Sequence, residues 1–125
     1  MSHAMRIAVP TDGAGGLDAT RSMHFGHAMS FTIVDVVDGV VTGSRVVVNP
    51  PHEHGGCGSS VSLLVAAGAT AVIAGGMGGG PRSGLATAGI EVCFDGTTET
   101  VRAAVDEYLT GTRDAFGEQH VCQGH

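Results

Sequence analysis

The chain has 125 residues, 42% of them hydrophobic and 14% charged, with a net charge of −6. That balance suits one globular domain able to bury its own core and argues against disorder. Lys and Arg together number six and are spread along the chain; with no basic cluster to hold phosphates, nucleic acid is excluded as a partner.

No secretory signal and no 18-residue apolar span is legible, so the protein reads as soluble and cytoplasmic, with no membrane partner. Three cysteines without an export signal read as thiols rather than a disulfide framework. Residues 1–4 read as a cloning remnant ahead of a natural start at Met5. Residues 113–125 read as a flexible tail containing His and Cys.

Residues 5–10 form a short apolar run ended by Pro10, the pattern of a buried strand. Residues 11–22 read as loop, given Gly13, Gly15 and Gly16. Residues 31–37 and 40–48 are rich in β-branched side chains and separated only by Asp38-Gly39, so a two-residue type I′ hairpin is expected. Residues 59–67 read as a short apolar helix stopped by Gly68. Residues 70–74 form a second buried strand that runs into a glycine-rich loop, 75–80. Pro81 suits the first position of a second helix, which Gly89 closes.

Residues 90–94 make the last strand. Thr97 is expected to cap a third helix, in which Val101, Ala104, Val105, Tyr108 and Leu109 form one buried stripe ended by Gly111. Strand–helix–strand units require right-handed parallel crossovers, so the reading is an α/β domain with a mixed sheet and helices on both faces. Ligands of such sheets bind outside the carboxyl ends of the parallel strands.

Residues 51–58, Pro-His-Glu-His-Gly-Gly-Cys-Gly, carry the densest chemistry. His52, His54 and Cys57 place two imidazoles and a thiol within six residues, a donor set suited to zinc, copper, iron and iron–sulfur groups. The glycines permit left-handed backbone and close approach to a bulky group. Cys57 is expected just before a helix, where the N-terminal dipole favours thiolate. The alternative is a surface loop whose donors never converge, since the spacing matches no standard zinc motif.

A second histidine pair, His24-Phe25-Gly26-His27, lies upstream, and His120, Cys122 and His125 lie in the tail. Met77, among five glycines, has few neighbours to pack against and is a candidate for lining a site. The glycine run lacks the Lys of a P-loop but offers a generic anion pocket at a helix start. Cys93, mid-strand, reads as a small buried hydrophobe.

Met5-Arg6-Ile7-Ala8-Val9-Pro10-Thr11-Asp12, the His24-Phe25-Gly26 turn, Ile33-Val34-Asp35 and Val72-Ile73-Ala74-Gly75-Gly76-Met77-Gly78 together resemble the dinitrogenase iron–molybdenum cofactor-binding (nitrogenase accessory factor-like) family. The likeness runs in order over residues 5–112. It implies a three-layer α/β/α domain, a ribonuclease H-like motif whose five-stranded mixed sheet contains one β-hairpin. It also implies carriage or insertion of a metal–sulfur cluster of the iron–molybdenum or iron–sulfur type, without catalysis, alongside a donor or acceptor protein in cluster assembly. By the resemblance His24 is the expected direct ligand, and Gly26, Gly75, Gly76, Met77 and Gly78 border the cluster. His52–Cys57 departs from the glycine- and alanine-rich loop of many cofactor carriers, so a soft divalent ion such as zinc is an alternative cargo.

Two other readings compete. An interaction or sensor module could keep the fold without cargo. A ribonuclease H-like nuclease would need several carboxylates around two metal ions; Asp12, Asp35 and Asp95 are too few, and a basic substrate groove is missing.

Overall fold

The computed structural model describes residues 4–22, 28–48, 57–75, 79–94 and 98–109. Five strands, β1 (Ala4–Thr11), β2 (Ser30–Val37), β3 (Val40–Val48), β4 (Ala71–Ala74) and β5 (Glu91–Phe94), form one sheet in the order β3-β2-β1-β4-β5. β1 is antiparallel to β2 and parallel to β4, β2 is antiparallel to β3, and β4 is parallel to β5. The helices are α1 (Cys57–Ala67), α2 (Gly79–Thr87) and α3 (Val101–Leu109).

The period of two along each strand sorts the apolar side chains into two layers. Ala8, Phe31, Ile33, Val72, Ala74 and Val92 point to one face and meet Leu64 of α1 and Leu85 of α2. Ile7, Val9, Val34, Val36, Ala71 and Ile73 point to the other and meet Val101, Ala104, Val105 and Tyr108 of α3. β4 sits between two strands with both faces covered, which is why its four residues are all buried and all apolar. The expected mixed sheet with helices on both faces, in three layers, is the observed one.

Asp38 and Gly39 have φ of 54° and 81°, both positive as a type I′ turn demands, and Val37 pairs with Val40. A register shift at Asp35/Val36 then leaves Thr42 as the extra residue of a bulge.

The starts of all three helices differ from the sequence reading, α2 opening at Gly79 rather than at Pro81. α1 starts at Cys57, so this residue opens the helix rather than preceding it. α3 is capped by Thr100, whose Oγ1 accepts from Ala103 N (3.2 Å), whereas Thr97, the expected cap, lies outside the described residues. Pairing with the segment before β2 keeps 99–100 extended: Arg21 N donates to Glu99 O at 2.9 Å and Thr20 bridges Thr100. No sequence pattern announces that pairing.

Cys93 is buried in the α3-side core, as expected. It is also disulfide-bonded, which corrects the reading of all three cysteines as thiols. Disulfides depend on Cβ atoms meeting within about 4 Å, which chain spacing does not reveal.

Candidate functional site

All three helices begin at the edge where β1, β4 and β5 end. At the opposite edge, the carbonyl of Ala67, the last residue of α1, accepts from Arg6 Nη1 (2.8 Å) and Arg45 Nη2 (3.0 Å). α2 runs down to Gly89 (φ 82°) and hands the chain to Glu91, which pairs with Ala71 at the start of β4. Near the end of α3, Tyr108 Oη donates to Glu91 Oε1 (2.7 Å). Three helix dipoles therefore put their positive ends at the carboxyl edge, an arrangement that favours negative charge there.

The loop after β1 folds over the α3 side of this edge. Thr11, Ser30 and Thr32 are buried hydroxyls beneath it. Thr11 Oγ1 lies 2.7 Å from Ser30 Oγ, Ser30 Oγ donates to Gly13 O (3.1 Å), and Gly16 N donates to Thr32 Oγ1 (2.9 Å). Gly15 has φ +81°, and a Cβ there would stand 3.0 Å from both Thr32 Oγ1 and Val46 Cγ1. Only glycine lets the loop lie this close.

Further along, Val101 N donates to Ala19 O (3.2 Å) and Arg102 N to Leu17 O (2.8 Å), so the loop takes up the first amides of α3. Arg102 Nε also donates to Asp18 Oδ1 (3.0 Å); that bond and the carboxylate's charge hold the guanidinium pKa above its usual range.

Arg21 is the feature the sequence reading missed. It is 2% exposed, and its Nη1 donates to Thr98 O (2.9 Å) and Thr98 Oγ1 (2.8 Å). Its backbone bridges Thr11, and Ser22 N donates to Pro10 O (2.8 Å). A lone arginine among small uncharged residues was its only signal in the sequence.

Of the residues singled out in the sequence, Gly75 follows β4 directly and is half-buried, and Cys57 opens α1. His24, Gly26, His27, His52, His54, Gly76, Met77, Gly78, Asp95, His120, Cys122 and His125 lie outside the described residues. The flanks of these segments share an address. Ser22 bonds the end of β1, Ser30 pairs with Thr11 and with Val48, and Gly75 and Phe94 mark the ends of β4 and β5.

Among the described residues no three His, Cys, Asp or Glu side chains gather into a metal site. Asp35 pairs with Arg6 (2.6 Å), six residues and roughly 20 Å of strand from Asp12, so these two carboxylates cannot share a metal ion. A cavity of about 390 Å³ beside Arg6, Asp35, Thr42 and Thr70 lies at that far edge too. No helix among the described residues is long and apolar enough to cross a membrane.

An open mixed sheet with helix N-termini and glycine-rich turns at its carboxyl edge defines an α/β binding domain. More specifically, a sequence model of the dinitrogenase iron–molybdenum cofactor family matches residues 5–111; the chain belongs to that family, which ties it to metal–sulfur cofactors at the level of the family. The apo form of the orange protein from Desulfovibrio gigas is 33% identical and superposes with a TM-score of 0.77, over 89% of this chain and 92% of that one. A Thermotoga protein with a provisional NifB designation is 29% identical, with a TM-score of 0.69 over 86% and 89% of the two chains. A Methanocaldococcus jannaschii protein provisionally called a dinitrogenase shares the fold at 19% identity, with a TM-score of 0.69 over 87% and 91%. No curated protein sequence matches the chain.

Proposed function

We propose that this domain binds and carries a metal–sulfur cluster of the iron–molybdenum or iron–sulfur type, or a soft metal ion, and passes it between a donor and an acceptor protein without catalysing a reaction. One observation carries the reading: the connections bearing His24, His52, His54 and the 75–78 glycines all spring from the edge where three helix N-termini meet. His24, His52 and His54 supply donors of the soft type, joined by Cys57 in its reduced, thiolate form. Gly26, Gly75, Gly76 and Gly78 supply backbone N–H groups to anionic sulfides, with Met77 as a soft apolar contact. A carrier must also release its cargo. Few covalent ligands backed by many weak amide contacts meet that need.

The loop ligands are tested by titrating zinc or ferrous iron, under reducing conditions, into the parent and into a Cys57→Ser, His54→Ala variant. At least a tenfold loss of affinity is expected, since the variant removes two of the proposed ligands. Ligands bind metal only when deprotonated, so the parent's affinity should fall as pH drops through the histidine range near ~6.5. Equal affinity and stoichiometry in the two proteins would leave the loop as ordinary surface and return the cargo to His24 and the glycines.

A further inference from the structure

Cys93 is disulfide-bonded, and the chain has two other cysteines to supply its partner, Cys57 and Cys122. A disulfide needs Cβ atoms within about 4.5 Å of each other and Cα atoms within about 7 Å. The layers of the fold decide between the two. Side chains alternate along β5, so Val92 joins the layer beneath α1 and α2 while Cys93 joins the layer beneath α3. α1, which opens on Cys57, packs through Leu64 on the first of these layers. The sheet therefore stands between the backbone of Cys57 and the sulfur of Cys93.

α3 leads the chain to the required face. Tyr108, near its end, belongs to the same apolar layer as Cys93, and its hydroxyl donates to Glu91 Oε1 at 2.7 Å. Glu91 lies two residues before Cys93 on β5 and on the same face, so this contact falls about 7 Å along the strand from the bonded cysteine. Cys122 comes 13 positions after Leu109, where α3 ends. At up to about 3.3 Å per residue, that length of chain covers the remaining distance several times over.

We infer that Cys93 is bonded to Cys122, so that oxidation staples the carboxyl-terminal segment to the α3 side of β5 and leaves Cys57 as the one free thiol. The inference stands apart from the carrier reading but bears on it. A Cys57–Cys93 bond would withdraw a proposed ligand whenever the protein is oxidised, whereas a Cys93–Cys122 bond reserves it. The bond forms by exchange with a small disulfide such as oxidised glutathione. Cys93 is 6% exposed, so the small disulfide meets Cys122 first. The Cys122 thiolate attacks it, giving a mixed disulfide and one released thiol, and the Cys93 thiolate then displaces the second. Two electrons and the pair's two thiol protons pass to the small disulfide, which leaves as two thiols.

The test is non-reducing peptide mapping of the full chain after reduction, reoxidation with oxidised glutathione and blocking of free thiols with N-ethylmaleimide. The expected result is a cross-linked pair of peptides carrying Cys93 and Cys122, with the label on Cys57 alone. Cys57→Ser should keep the cross-link and take up no label. The bond closes a loop across 29 positions, so the oxidised parent should unfold about 10 °C or more above the reduced parent. Cys122→Ser should show the same midpoint with and without the oxidant.

A Cys57–Cys93 or Cys57–Cys122 cross-link in the parent overturns the inference, as does a bond between chains in its place. Labelling of all three cysteines after reoxidation overturns it too. Equal midpoints for the oxidised and reduced parent, with the Cys93–Cys122 link present, overturn the staple. The mapping of the parent decides the pairing without any variant, so a Cys122→Ser protein that fails to fold leaves the test intact.

Discussion

Phe31→Ala is expected to lower the unfolding midpoint by about 10–20 °C, from a loss on the order of 3–5 kcal/mol. Phe31 is fully buried and sits at the junction of three strands, facing Pro10 on β1 and Val47 on β3. Its ring fills the layer between the sheet and α1 and α2, alongside Ile33, Leu64 and Leu85. Alanine would remove most of that side chain and leave a cavity in a rigid sheet that relaxes poorly around it. Domains of this size are stable by only about 5–15 kcal/mol, so the loss is a large fraction of the whole. Thermal unfolding followed by circular dichroism reads the effect, with Phe31→Leu as a milder control. A fall of less than about 5 °C for the alanine variant would mean that the core is not closed at this position.

The second large effect is on binding. His24→Ala should weaken binding of a metal–sulfide probe by about tenfold or more, as expected for the loss of one ligand or its supporting contact, while the unfolding midpoint moves little. Two fixed points frame the residue. Ser22 bonds Pro10 on one side, and Ser30 pairs with Thr11 on the other. Both lie at the carboxyl edge, where the site is proposed. Isothermal titration under anaerobic conditions, run beside a thermal melt, separates the two effects. Unchanged affinity in a folded His24→Ala protein would remove this histidine from the site.

The fold was legible because its signals are local. Short apolar and β-branched runs located the strands, and Asp38-Gly39 named its own turn, down to the two positive φ values. Gly68 and Gly89, each with positive φ, closed their helices as read. α1 was harder to delimit at its start, because it opens on Cys57 and Gly58, neither of which announces a helix. The carboxyl edge was legible as an address from the βαβ connections alone.

What the sequence could not show depends on contacts between distant segments. Arg21 meets Thr98 across 77 positions, and Thr100 became a helix cap because residues 19–21 pair with its segment. The disulfide at Cys93 is of the same kind. Composition and periodicity carry no information about such meetings. The loop over Thr11, Ser30 and Thr32 was read only as glycine-rich; its close fit over those hydroxyls appears once Gly15 is seen against Thr32 and Val46.

The carrier account is tested most directly by the iron, molybdenum, copper, zinc and acid-labile sulfide content of the protein. The protein would be purified without oxygen or chelators from cells supplied with these metals. The account predicts metal and sulfide together, at a fixed ratio and close to one cluster per chain or per assembled unit. It also predicts that this content falls in the His24→Ala variant. A protein that folds, purifies intact and contains neither metal nor sulfide under these conditions, and takes up neither on incubation, would contradict it.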